Sequence, residues 1–237
     1  MTNKNINIAV VGCGNCASSL LMGLSFYDNM DIKENIHGLM HKDLGGYLIS
    51  HIKVVAAFDV DKRKVGKELS EAILSEPNCT NRFVYFIPYQ NVQVMKSPVL
   101  DGVADNMKNS FQVDNTQREL TKEEIISILR ERKTDAIVSY LPVGSYLATL
   151  FWAEIALESK CAFINCIPVF IASNPEWARK FENARLPIIG DDIKSMVGST
   201  IVNRALVQMI QDRGGKIINS WKTNFGGNTD FLNMISK

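Results

Sequence analysis

Apolar residues recur along the chain in two alternating rhythms. Short continuous runs rich in β-branched residues are Ile6–Val11, Lys53–Phe58, Val92–Met95, Asp135–Leu141, Cys161–Ile167 and Leu186–Ile189. Each is short enough, and bounded closely enough by glycine, proline or polar residues, to be a buried strand. Between them lie segments with helical spacing. Leu20, Leu21 and Leu24 follow the first run; Val65, Leu69 and Ile73 follow the second and predict a helix from Asp61 to about Ser75. Ile125, Ile128 and Leu129 form a stripe behind the capping box Thr121-Lys122-Glu123-Glu124. A further helix runs through Ala148, Trp152, Ile155 and Ala156. Asn174 caps the next, with Pro175 at its first position, and a last one spans about Met196 to Arg213 and stops at Gly214-Gly215. Strands alternating with helices predict an α/β fold: a doubly wound, Rossmann-like parallel sheet covered on both faces.

Two stretches depart from this rhythm. Residues 27–51 are polar and broken by glycines, and read as an insertion with one short helical piece. Residues 76–118 carry little signal beyond the third strand. After Gly215, Lys216–Asn224 reads as a new strand with no partner in sequence. An isolated strand is not stable, so the predicted organisation is a nucleotide-binding domain over residues 1–214 and an incomplete second, α+β domain beginning at 215–237.

The strand ends carry the unusual residues. The first run breaks at Gly12-Cys13-Gly14-Asn15-Cys16-Ala17 and becomes a helix. Strand, glycine turn and helix is the context that gives a G-x-G-x-x-G/A pattern meaning. Gly12 allows the tight turn, Gly14 allows close approach of a pyrophosphate, and Ala17 lets helix pack on strand. The phosphates meet the helix N-terminus, where unbonded N–H groups and the macrodipole favour negative charge. Asp59 closes the second strand, where a carboxylate binds ribose hydroxyls and repels the extra phosphate of NADP. It follows Gly14 at more than twice the usual spacing of about 20 residues, an excess the insertion explains. The adjacent Asp61, Lys62 and Arg63 leave NADP as the alternative, because an arginine there can accept a 2′-phosphate. Tyr140-Leu141-Pro142-Val143-Gly144-Ser145, Asn165-Cys166-Ile167-Pro168 and Gly190-Asp191-Asp192-Ile193-Lys194-Ser195 likewise begin where strands stop. Ligands of such sheets bind outside those carboxyl ends. Lys194 beside two carboxylates is suited to binding a phosphate or stabilising an enolate; the plainer reading makes Asp191 and Asp192 a helix cap and Lys194 a surface charge. Asn228, Asp230 and Asn233 can hold sugar hydroxyls or mark a turn.

Composition narrows the classes. The chain has 237 residues, 46% of them hydrophobic and 22% charged, with net charge +1. That is the composition of a globular protein, and the balance gives no electrostatic case for nucleic acid or an anionic membrane. No apolar run reaches membrane-spanning length, and the N-terminus shows no signal-peptide pattern; the cytoplasm is the expected location. Five cysteines without a signal do not suggest a disulfide framework. Cys13 and Cys16 form C-x-x-C, but the glycine turn requires small residues there, and no second pair completes a zinc site. His37, His41 and His51 lack metal-ligand spacing and read as loop residues.

VGCGNCASSL, AAFDVDKRKVG, VSYLPVGS, NCIPVFIASNPEWA, PIIGDDIKSMVG and GGNTDFLNM, in this order, resemble the bacterial and archaeal type of myo-inositol-1-phosphate synthase. The likeness runs from Ile6 to the last residue. It implies an isomerase converting D-glucose 6-phosphate to 1L-myo-inositol 1-phosphate. In that family C5 of the open-chain sugar is oxidised with tightly bound NAD+, the C6 proton is removed, the enolate attacks C1, and C5 is reduced again. Carried over by motif, Gly12, Gly14, Asn15 and Cys16 line the pyrophosphate, Asp59 holds the ribose, and Pro142, Val143 and Gly144 flank the cofactor. Asp191, Asp192, Lys194 and Ser195 lie by the nicotinamide, with a divalent or monovalent cation as a further candidate. Lys194, Asp192 and Asn233 are the candidate catalytic residues; Asn228 and Asp230 face the sugar phosphate. The resemblance also implies a homo-oligomer, tetrameric in the full-length family. Family members continue beyond the point matched by Lys237, and most of the phosphate-binding lysines lie there, so the reading predicts NAD binding without turnover for these 237 residues. The competing expectations are an NAD-dependent dehydrogenase with a truncated substrate domain and a non-catalytic NAD-binding remnant.

Overall fold

The computed structural model describes residues 5–28, 38–107, 110–192 and 198–223. Six strands form one sheet: β1 (Ile6–Val11), β2 (Ile52–Asp59), β3 (Val94–Lys96), β4 (Ala136–Ser139), β5 (Ala162–Asn165) and β6 (Ile188–Ile189). Their order is β3-β2-β1-β4-β5-β6 and every pairing is parallel. This is the doubly wound arrangement expected from the alternating pattern. The chain leaves β1 toward β2 on one side and returns to β4 on the other, so the strand order reverses between β1 and β4, and a crevice opens there.

The helices are α1 (Asn15–Asp28), α2 (Leu69–Ala72), α3 (Lys122–Glu131), α4 (Tyr146–Ser159), α5 (Pro175–Ala184) and α6 (Ser199–Asp212). Successive strand residues point to opposite faces, and β1 feeds two cores. Ile8 and Val10 pack with Ala17 and Leu21 of α1 and with Leu69 and Ile73 around α2. Ala9 and Val11 pack with Ile125 and Leu129 of α3, Trp152 and Ile155 of α4, and Phe181 of α5. The caps take their predicted form. Thr121 accepts from the Glu124 N–H while Glu124 accepts from the Thr121 N–H, and Asn174 accepts from the N–H groups of Glu176 and Trp177.

Three expectations need correction. The helix predicted from Asp61 to Ser75 is confined to α2. The Asp61 carbonyl accepts from the N–H groups of Lys64 and Val65, its carboxylate accepts from the Arg63 N–H, and Gly66 follows at φ +83°; this chain of turns displaces helical geometry until Leu69. The third strand is Val94–Lys96 rather than Val92–Met95, because the Val92 carbonyl instead accepts from the Leu69 N–H. Lys216–Thr223 is irregular rather than a strand, having no ladder partner among the described residues.

Candidate functional site

The turn after β1 is fixed from both neighbouring strands. The Gly12 N–H donates to the Phe58 carbonyl at 2.9 Å, and the Tyr140 N–H donates to the Val11 carbonyl at 2.7 Å. Gly12 has φ +87°, and a Cβ on it would stand 2.6 Å from the Tyr140 carbonyl oxygen. No side chain fits that position. Gly14 is required for another reason: a Cβ there would meet nothing within 4 Å, so the space in front of it is open. α1 starts at Asn15 and points its N-terminus at this opening, with four backbone N–H groups that have no partner within the helix.

Asp59, at the end of β2, is buried and holds the turn. One carboxylate oxygen accepts from the Cys13 N–H at 2.7 Å, and the other from Val60 N–H at 2.7 Å and Asp61 N–H at 2.9 Å. The Lys64 ammonium, itself buried, stands 3.7 Å from Asp59. These elements enclose a cavity of about 480 Å³ at the carboxyl ends of the strands, extending across the switch point between β1 and β4. The size lies within the usual range for small-molecule sites.

Of the residues singled out from sequence, Gly12, Gly14, Asn15, Cys16, Asp59, Pro142, Val143 and Asp192 line this one cavity. Gly144 and Asp191 stand outside its lining. Gly144 has φ +92° and turns the chain into α4. Asp191 instead braces the loop after β5, accepting from the N–H groups of Ile171, Ala172 and Ser173 and from the Asn165 amide at 2.8–3.1 Å. Burial raises its pKa, but these hydrogen bonds more than offset that and hold it below the ordinary aspartate value. Lys194, Ser195, Asn228, Asp230 and Asn233 lie outside the described residues.

Several wall residues had no local signal in the sequence. Lys64, Glu76, Asn78, Ser97 and Phe111 all line the cavity, from irregular segments between β2 and β4, beside Tyr140 of the strand-end motif. Asn15 ties one such segment down: its amide donates to Cys79 Sγ at 3.0 Å, and its oxygen accepts from the Cys79 N–H at 3.1 Å. Asn78 donates to the Ser18 hydroxyl at 2.7 Å. Burial raises the Tyr140 phenol well above its ordinary value and pushes the Cys166 thiol up to about 12, so both stay protonated at neutral pH. Cys13 is buried while Cys16 is exposed, which does not suit a C-x-x-C redox pair. Among the described residues no group of three or more His, Cys, Asp or Glu is placed to hold a metal ion, and no helix is long and apolar enough to cross a membrane.

The family model described as myo-inositol-1-phosphate synthase matches residues 198–237. The inositol-3-phosphate synthase of Corynebacterium glutamicum is 43% identical over all 237 residues. The chain belongs to the myo-inositol-1-phosphate synthase family. It covers 64% of the C. glutamicum relative, and so spans less than two thirds of the curated synthase's length. A solved structure titled Ari2 is 33% identical, with a TM-score of 0.83 over 97% of this chain and 67% of its own. A myo-inositol-1-phosphate synthase-related protein from Thermotoga maritima shares the fold, with a TM-score of 0.65 and 21% identity over 89% of this chain and 60% of its own. The glycine turn and the Asp59 carboxylate thus belong to a synthase-family chain.

Proposed function

We propose that the chain is the dinucleotide-binding portion of an inositol-3-phosphate synthase, which converts D-glucose 6-phosphate to 1L-myo-inositol 1-phosphate with NAD. The observation that carries this reading is the opening in front of Gly14, faced by the N-terminus of α1 at the point where the strand order reverses. A pyrophosphate there can accept from backbone N–H groups without meeting a side chain. Gly12, Gly14, Asn15 and Cys16 would hold the phosphates, and the acceptor capacity left on Asp59 would take ribose hydroxyls. When bound, NAD supplies reversible hydride exchange with the sugar.

The remaining residues prepare the site. Pro142, Val143, Ile167 and Pro168 give the cavity an apolar wall, which would border the reacting end. Asp192 reaches the same cavity, its N–H held by the Ile167 carbonyl at 3.1 Å, and it would act with Lys194 and Asn233 on the substrate, while Asn228 and Asp230 would hold the sugar phosphate. Residues 1–214 form the nucleotide-binding domain in this reading, and 215–237 open the next. The family resemblance supports a cytoplasmic homo-oligomer, and the sequence's near-neutral charge supports a small-molecule substrate rather than a nucleic acid.

The test is to assay the natural subunit with glucose 6-phosphate and NAD+. The expected product is an inositol monophosphate with no net accumulation of NADH, since oxidation and reduction cancel. NADH accumulating in step with an oxidised sugar would instead establish a dehydrogenase.

A further inference from the structure

The ribose corner holds more buried charge than a pyrophosphate turn requires. Asp61 is fully buried and does not line the cavity, so nucleotide binding makes no direct use of it. Its carboxylate is nevertheless fully engaged. The Arg63 Nε donates to one oxygen at 2.8 Å, an Arg63 terminal nitrogen donates to the other, and the backbone N–H groups of Arg63 and Gln112 add donors at 2.8 and 3.4 Å. The same terminal nitrogen of Arg63 also donates to the Ser110 carbonyl at 2.9 Å. This is a two-point guanidinium–carboxylate pair, anchored on a second segment of the chain. Burial opposes the charge on Asp61, but the hydrogen bonds from Arg63 and its charge more than offset this and keep the carboxyl ionised.

The other cation of the corner is committed too, since Lys64 lies against Asp59. Lys62 is exposed and is not part of the cavity wall. An arginine beside the end of the second strand is the usual receptor for a 2′-phosphate, and Arg63 is the residue that left NADP open from sequence. Here the guanidinium faces Asp61 and Ser110. Recruiting it to a phosphate would strip a buried carboxylate of its partner, which is strongly unfavourable.

We propose that Asp61 is a specificity-determining residue: by clamping Arg63 in a two-point pair it withholds the guanidinium from the ribose corner, so the cavity accepts a dinucleotide with a plain 2′-hydroxyl and rejects one with a 2′-phosphate. The proposal rests on the dinucleotide reading above. Rejection has two parts. A 2′-phosphate brings negative charge toward the buried Asp59, and no cation is released to neutralise it.

Calorimetric titration of NAD+ and NADP+ against wild type, Asp61→Asn, Arg63→Ala and the double variant separates the cases. The wild type is expected to prefer NAD+ by on the order of 100-fold. Asp61→Asn keeps an acceptor for the Arg63 N–H but removes the charge that holds the guanidinium. It should tighten NADP+ by about tenfold and leave NAD+ within about threefold. Adding Arg63→Ala should erase that gain. Arg63→Ala alone reads the clamp from the other side and should leave the preference unchanged; the double variant, which removes both charges and leaves no buried carboxylate unpaired, should also keep the wild-type preference and keeps the proposal testable if either single variant does not fold. A tenfold loss of NADP+ binding in Arg63→Ala, or equal shifts of both nucleotides in Asp61→Asn, would overturn the clamp while NAD binding stands. Failure of wild type to bind either nucleotide would overturn the dinucleotide reading itself.

Discussion

Helices α4 and α6 are both fourteen residues long, yet they live in opposite environments. α4 is buried at every turn, through Ala148, Thr149, Trp152, Ala153, Ile155, Ala156 and Ser159. It is apolar on most of its surface, as a helix enclosed in a core must be. Asp101 caps its start, accepting from the Leu147 and Ala148 N–H groups at 2.8 and 2.9 Å. α6 buries no side chain against the described residues. Ile201, Val202, Leu206, Met209 and Ile210 remain exposed along it, and Ile218 and Trp221 follow in the same condition. The sheet and helices α1 to α5 therefore close their core without help from α6. Stability should reside in that body, and the far end should tolerate change.

The largest effect that would sharpen this contrast comes from Trp152, which is buried with its ring centroid 5.0 Å from that of Phe58. Trp152→Ala should cost about 3–5 kcal/mol in denaturant unfolding; a loss below about 1 kcal/mol would break the contrast. Gly12→Ala comes next. The left-handed backbone alone costs about 1–2 kcal/mol, the Tyr140 carbonyl adds a clash, and both the melting temperature and nucleotide binding should fall. A pH titration of stability tests the loop after β5. The Asp191 carboxyl is held below its ordinary value of 3.8, so its stabilisation is present above that value and is lost as pH falls below it. Asp191→Asn should flatten that acid limb; an unchanged limb would assign the acid sensitivity elsewhere. The smallest effect belongs to α6: Leu206→Ala should change stability by no more than about 0.5 kcal/mol, and a loss of 2 kcal/mol or more would show that this face is covered in solution.

The same division governs what was legible in the sequence. β1, β2, β4 and β5 announced themselves as apolar runs because both of their faces are buried, and the caps at Thr121 and Asn174 act through side chains next to the backbone they serve. The glycine turn was legible because it solves a local backbone problem, whereas the hold of Asp59 on the Cys13 N–H, 46 positions away, left no local signal. The stretch after β2 misled because Val65, Leu69 and Ile73 keep helical spacing while Asp61 and Gly66 impose turns; all three side chains are buried without a continuous helix. The walls contributed by Glu76, Asn78, Ser97 and Phe111 were invisible, since irregular segments held by contacts with distant residues, such as Asn78 with Ser18, leave no periodic trace. The contacts of Asp191 left no trace either: three backbone N–H groups from a loop about twenty residues away in sequence donate to its carboxylate.

Titration of NAD+ against the wild type and Gly14→Val decides whether the glycine turn holds the nucleotide. A Cβ at Gly14 meets no protein atom within 4 Å, so the variant should fold and melt like the wild type, while its side chain occupies the space assigned to the pyrophosphate. One NAD+ should bind per wild-type chain, with an affinity ~100-fold weaker in Gly14→Val, the loss expected when direct backbone hydrogen bonds to a charged group are blocked. Equal affinity in a folded Gly14→Val would contradict that assignment, because the nucleotide would then bind somewhere other than the turn on which the cavity is built.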